Sequence, residues 1–270
     1  KITNSGGGRT LGSAPAFTLS EVLVTLGIIG VVAALTLPNL VANYRNIVYV
    51  NQLKKSVSVL EQAFIKMLAD EGVEHLEDVS GFKTLGTAEY ASYVFGGTHG
   101  DAFEKYLKRY LNIVSIGRYS SREFAYLTNK GVQITSWSGT IYFKDGSMLL
   151  YPIFYPQKQM KSYDDCKLIK SKGGHLCSYQ GVFYIDVNGD KRPNKAGRDI
   201  FRFYLSADGH LYPDGGKDVS FYQNPGGNGK GWRETSYQCG DVGKPINNFK
   251  SVTGNGCAAR IIENGWNMDY

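Results

Sequence analysis

Apolar and polar residues follow three different spacings along the 270-residue chain. In residues 17–37, FTLSEVLVTLGIIGVVAALTL, the only ionisable side chain is Glu21. As a helix this run is roughly 31 Å long, which matches the hydrocarbon layer of a bilayer. A cleaved secretory signal is the rival reading. However, the run exceeds the usual apolar region of about 7–15 residues, and no Ala-x-Ala site follows it. No later segment is as long without charge. The pattern predicts one membrane-spanning helix, with the remaining chain beyond it.

After Pro38 the spacing becomes periodic. Val50, Leu53, Val57, Leu60, Phe64 and Met67 recur at steps of three and four, with Lys54, Lys55, Glu61 and Lys66 between them. This predicts an amphipathic helix with one buried face, packed on a sheet, and Gly72 is a reasonable stop. Pro38 is expected to kink or loosen the helix between its two halves. A second, shorter amphipathic helix is predicted over 101–112, with Phe103, Tyr106, Leu107 and Tyr110 on one side.

Strand patterns dominate from there. Residues 140–144 and 147–154 flank Asp145-Gly146, a strong signal for a type I′ hairpin turn. Residues 182–187 precede Asn188-Gly189, and 199–205 precede Asp208-Gly209. The expected fold class is α+β, a long N-terminal helix against an antiparallel sheet. The expected domains are a leader-like segment at 1–16, the apolar helix at 17–38, its amphipathic continuation at 39–72 and a β-rich head at 73–270. The chain carries 33 glycines, well above the roughly 7% average. Many fall in 214–231, which is expected to be a long loop.

Charge and chemistry narrow the function classes. Thirty basic and 24 acidic residues give a formal charge of +6, too mild and dispersed for a nucleic-acid footprint. Lys1 and Arg9 precede the apolar run and no acid does, a bias that keeps the N-terminal side cytoplasmic. A carboxylate inside a membrane helix is costly and usually marks a function with a partner, which singles out Glu21; the rival reading is that Glu21, four residues into the run, lies near enough to the interface to stay solvated. The densest basic and aromatic run, Lys105-Tyr106-Leu107-Lys108-Arg109-Tyr110, should divide between a core face and a solvent face. His75, His99, His175 and His210 are scattered, and no GxSxG, HExxH or P-loop is present, so the chain is not expected to be an enzyme.

Cys166, Cys177, Cys239 and Cys257 all follow the apolar run, as suits an oxidising compartment. Three pairings are open. Sequence proximity favours Cys166–Cys177 and Cys239–Cys257, each stabilising by very roughly 3 kcal/mol. A zinc site is the rival, but there is no C-x-x-C spacing and His175 lies only two residues before Cys177. Asp186, Asn188, Asp190, Asn194 and Asp199 place hard oxygens as a calcium loop does, so calcium is the one cofactor the sequence suggests. Gly189 stands off the expected glycine position and no Glu closes the loop. The alternative is a hairpin built on Asx-turns, with Asp199 paired to Arg192 or Arg198.

The run Ala16-Phe17-Thr18-Leu19-Ser20-Glu21, followed by VLVTLGIIGVVAALTLP, resembles the leader junction and N-terminal helix of type IV pilins and type II secretion pseudopilins. The resemblance is strong over residues 16–60 and weak over the head. It implies peptidase cleavage between Ala16 and Phe17, with Phe17 becoming an N-methylated N-terminus. Ala16 stands where the family usually has Gly. Glu21 matches the family's glutamate and Pro38 its helix-perturbing proline. The Cys239–Cys257 pair resembles the family's C-terminal disulfide loop.

The implied function is a structural filament subunit, assembling through the apolar helix into a helical homo-oligomer, with the Phe17 amine of one copy paired to Glu21 of a neighbour. The implied partners are inner-membrane lipid before assembly, a prepilin peptidase and an assembly platform. The implied location is the inner membrane and then an extracellular filament, or the periplasm for a pseudopilin. A filament-borne adhesin or a DNA-binding head is the reading from another class, and nucleic acid is left open.

Overall fold

A 53-residue helix, α1 (Leu19–Glu71), opens the computed structural model, which describes residues 18–85, 98–117, 139–226, 229, 239 and 254–270. The chain divides into two units, 1–45 and 46–270. In the first, the α1 residues are almost all exposed, Leu19, Leu26, Ile29 and Leu35 among them. The helix continues through Pro38.

In the second unit the periodic stripe does what its spacing predicts. Val50, Leu53, Val57, Leu60, Phe64 and Met67 are all buried, and Lys55 and Lys66 point to solvent. Gly72 follows the helix with φ +64°, a left-handed value that favours glycine and ends α1. The chain then makes a 3-10 turn (Leu76–Asp78), a one-turn helix α2 (Ser80–Lys83) and, later, α3 (Thr98–Leu107). α3 starts earlier and ends sooner than the predicted 101–112, because residues 108–110 form a turn after Leu107.

Among the described residues six strands follow: β1 (Ile113–Gly117), β2 (Thr140–Phe143), β3 (Met148–Met160), β4 (Ser178–Asp186), β5 (Ile200–Ser206) and β6 (Leu211–Pro213). Each pairs antiparallel with the next, in the order β1-β2-β3-β4-β5-β6. The fold is therefore α+β, a long N-terminal helix against an antiparallel meander. Alternation sets the faces. Phe183 and Ile185 of β4, with Phe201, Phe203 and Leu205 of β5, join the α1 stripe in one core. The other side of the sheet carries smaller clusters, one around Leu150 and Ile200 and one around Val182 and Tyr204. Arg202 pairs there with the fully buried Asp214 (Nη1–Oδ2 3.2 Å) and lies over Tyr184 and Tyr204.

Among the described residues the head has three further helices: α4 (Tyr163–Ser171), α5 (Lys217–Gln223) and α6 (Cys257–Glu263). α5 corrects the expected 214–231 loop, since Val219, Ser220 and Phe221 bury one face of the sequence KDVSFYQ. The disulfides are Cys166–Cys177 and Cys239–Cys257, the pairing that proximity favoured. Closing loops with separations of 11 and 18 residues removes unfolded-state entropy, by about 3 kcal/mol each.

Glu71 ties the end of α1 to the segments that follow. It accepts the Tyr106 hydroxyl at 2.5 Å, the Ser80 N–H at 2.7 Å and the Ser80 hydroxyl at 2.7 Å. Gly81 lets α3 approach this closely, because a Cβ there would lie 2.1 Å from the Tyr106 ring. Burial alone would raise the Glu71 carboxyl, but the bonds from Tyr106 and Ser80 outweigh it and hold it below the usual carboxylate range. Its stabilisation is therefore present above the unfolded value of about 4.3 and is lost as pH falls through the lower folded value. Glu71→Gln is expected to cost about 1–2 kcal/mol at pH 7, a figure discounted for solvent screening. It should also flatten the stability loss between about pH 5 and pH 3. Denaturant unfolding at stepped pH measures both.

Candidate functional site

The feature without a structural use inside its own unit is the apolar half of α1. Leu19, Leu23, Leu26, Ile28, Ile29, Val31, Val32, Leu35 and Leu37 are each more than half exposed. Its side-chain hydroxyls add little polarity, because Thr25 and Thr36 turn theirs back onto carbonyls of the same helix. Thr25 Oγ1 donates to Glu21 O at 2.9 Å, and Thr36 Oγ1 to Val32 O at 2.9 Å. The surface is long, apolar and charge-free beyond its first turn. By length and composition the helix can cross a membrane, and this is the only such helix among the described residues.

Glu21 has a local role that the sequence reading missed. The Thr18 carbonyl accepts the Val22 N–H at 3.2 Å, so Thr18 is the N-cap. Thr18 Oγ1 accepts the Glu21 N–H at 3.2 Å, and the Thr18 N–H and hydroxyl both donate to Glu21 Oε2 at 2.8 Å. This is a reciprocal capping box, and its T-x-x-E signature stands in the sequence at 18–21. The carboxylate also lies at the positive end of the helix dipole. Ala16 and Phe17 lie outside the described residues. Pro38 sits within α1, at the far end of the apolar segment.

The five residues suggested for calcium serve the β4–β5 connection instead. Asp186 Oδ1 accepts the N–H groups of Asn188 (3.2 Å) and Gly189 (2.9 Å), an Asx-turn. Asp199 is fully buried, and its oxygens accept the N–H groups of Lys195 (2.7 Å) and Asn194 (2.9 Å). Burial raises the Asp199 carboxyl despite these bonds and one from the Asn188 side chain. The Asn194 amide nitrogen donates to the carbonyls of Lys191 and Gly189. Asp190 lies in the same connection. Among the described residues no group of three His, Cys, Asp or Glu side chains converges. The Asp186 and Asp199 carboxylates hold backbone donors of their own connection. The same geometry replaces the expected pairing of Asp199 with Arg192 or Arg198.

The basic run at 105–110 divides as its helical spacing requires. Tyr106 and Leu107 are buried, while Lys105, Lys108 and Arg109 are exposed. The four cysteines are all in disulfides. The Cys239–Cys257 bridge holds α6, and Arg260 of α6 donates to the Cys239 carbonyl at 3.0 Å and pairs with Asp269 at 2.8 Å. The acidic pair Asp164-Asp165 opens α4, where Ser162 caps the Asp165 N–H at 3.1 Å. Their charge complements the helix dipole there.

Fold and site together define an α+β protein whose N-terminal helix is exposed and apolar over its first half and core-forming over its second. Residues 39–270 match a family of unknown function, DUF6613, and the chain belongs to that family. No curated protein and no solved structure matches it.

Proposed function

We propose that the chain is a structural subunit of a type IV pilus-like filament, held in the inner membrane by residues 17–38 and then assembled through them. The exposed, charge-free surface of α1 from Val22 to Leu37, continuous with an amphipathic segment that builds the head's core, carries this reading. A surface of that size needs lipid or protein around it, since exposed apolar area costs about 25 cal/mol per Å² in water. A helix that only anchored the protein would need no pairing partner. A helix that leaves the bilayer must pack against copies of itself, and Glu21 at its start offers the one charge that could set their register. Two disulfides in the head suit an oxidising, extracytoplasmic location.

Shearing cells that produce the chain and sedimenting the released material tests the reading. The expected result is a fast-sedimenting polymer containing the full head and beginning at Phe17. Recovery of the chain solely as a monomer in the membrane fraction would reduce α1 to an anchor.

A further inference from the structure

The connection from β4 to β5, residues 187–199, carries Lys191, Arg192, Lys195 and Arg198 against two acids, Asp190 and the buried Asp199. Lys191 and Arg192 are exposed. Gly189 packs so closely on Gly146 of the β2–β3 turn that a Cβ has no room, which adds the exposed Lys144 to the same end of the sheet. Lys144, Lys191, Arg192 and Arg198 make no ion pair among the described residues. Arg198 fixes where this end lies. Its Nη1 donates to Asn46 Oδ1 at 3.4 Å, and its guanidinium lies over the Tyr270 ring, 5.8 Å from the centroid. Tyr270 in turn donates its hydroxyl to the Gly197 carbonyl at 2.8 Å. Asn46 follows Pro38 by eight residues, so it is tethered within about 28 Å of the apolar segment whatever the path between them. The other end of the sheet has the opposite charge. Gly209 of the β5–β6 turn packs on Ile65 and Leu68, and the Ala207 carbonyl accepts the Leu76 N–H at 2.7 Å. Asp70, Glu74, Glu77, Asp78 and Asp208 gather there, with Lys66 and Lys158 pairing two of them.

We propose that the basic end of the head, residues 191–198 with Lys144, is a docking surface for the anionic phospholipid headgroups of the bilayer that residues 17–38 enter. The tether favours a membrane over nucleic acid as the occupant, because the basic end is the one held near the apolar segment. The aromatic residues beside the cations favour it too. Lys54 Nζ lies 5.7 Å from the Trp266 ring centroid and Arg198 lies over Tyr270, and Trp and Tyr are the rings enriched at a bilayer surface. Each cation close to an anionic surface strengthens the attraction about fivefold. The acidic end is repelled by the same surface, so the charge polarity also sets which way the head faces. The proposal rests on the reading of residues 17–38 as membrane-embedded.

Alanine-methyl NMR of the full chain in lipid nanodiscs tests it, with a nitroxide on the lipid headgroup to broaden nearby signals. In discs containing phosphatidylglycerol, the Ala196 methyl of the connection is expected to broaden strongly and the Ala207 methyl of the β5–β6 turn weakly. In phosphatidylcholine alone, or at high salt, the Ala196 broadening should fall at least about fivefold. Lys191→Gln combined with Arg192→Gln should lower it by a similar factor in the anionic discs. Lys66→Gln combined with Lys83→Gln, an equal charge change at the acidic end, should leave it as it is. Equal Ala196 broadening in the two lipid compositions overturns the proposal, as does an unchanged signal in the Lys191 and Arg192 variant. Broadening erased by inorganic phosphate at constant ionic strength also overturns it, by marking a pocket for a single anion. A saturable Ala196 shift with duplex DNA, in place of the lipid dependence, overturns it in favour of a nucleic-acid surface. Moving the nitroxide to the lipid chains checks the reading beneath the proposal at the methyls of Ala33 and Ala34. If those broaden while Ala196 shows no lipid dependence, the docking surface alone fails. If they do not broaden, the membrane-embedded helix fails with it.

Discussion

Phe154→Ala is expected to lower the unfolding free energy of the head by about 3–5 kcal/mol, the range for removing a buried aromatic ring. Phe154 stands on β3, only 1% exposed, and its ring meets those of Phe64, Phe82, Phe103 and Phe183. The centroid separations run from 5.2 Å to Phe103 to 6.3 Å to Phe64. Those four rings belong to α1, α2, α3 and β4, so one side chain joins every layer of the core. Gly181, paired with Phe154 across β3–β4, keeps the space clear, because a Cβ there would lie 3.1 Å from the ring. Truncation leaves a cavity that four rigid rings cannot collapse into, which puts the cost at the upper end of the range. Against a typical total of about 5–15 kcal/mol, this is a large share of the stability. Denaturant unfolding followed by intrinsic fluorescence measures it, and a loss below about 1 kcal/mol would contradict this view of the core.

Glu21→Gln is expected to abolish filament assembly while leaving α1 capped and the head folded. The capping box makes this substitution more informative than Glu21→Ala. Gln keeps a side-chain oxygen for the Thr18 donors, whereas Ala removes both cap and charge. If assembly uses the carboxylate's charge against the Phe17 amine of another copy, both variants fail alike. If the glutamate serves only as a cap, Gln assembles normally and Ala alone is impaired. Quantifying sheared polymer from the two variants, with circular dichroism as the folding control, separates these outcomes.

The periodic half of α1 was readable because burial acts on a regular spacing, and every residue from Val50 to Met67 named on that spacing is buried. Asp145-Gly146 was readable as a turn for a local reason, since Gly146 adopts the left-handed φ of +87°. Asp145 does not, so the loop is a three-residue one over 144–146, between the bonded Phe143 and Ser147, and not the expected type I′ turn. Elements whose order comes from distant partners escaped notice. β1 is five residues with no alternation until β2 pairs with it, and β6 is three residues held by β5. α5 is helical because Val219 and Phe221 find a buried surface, which glycine content alone could not reveal. The run of acids and asparagines at 186–199 misled for a related reason, because the same oxygens that bind calcium also cap turns. At the candidate site, the apolar segment was plain from composition. The T-x-x-E cap of Glu21 was equally visible but was overshadowed by the cost of a charge in a membrane helix.

The claim that α1 packs against copies of itself is tested most directly by placing a photoreactive amino acid at Ile29, in the middle of the exposed apolar surface. Illumination of cells is expected to yield a ladder of covalent oligomers linked through residues 19–37 of neighbouring copies. Cross-links to lipid alone, with no subunit-to-subunit product at any expression level, would contradict it.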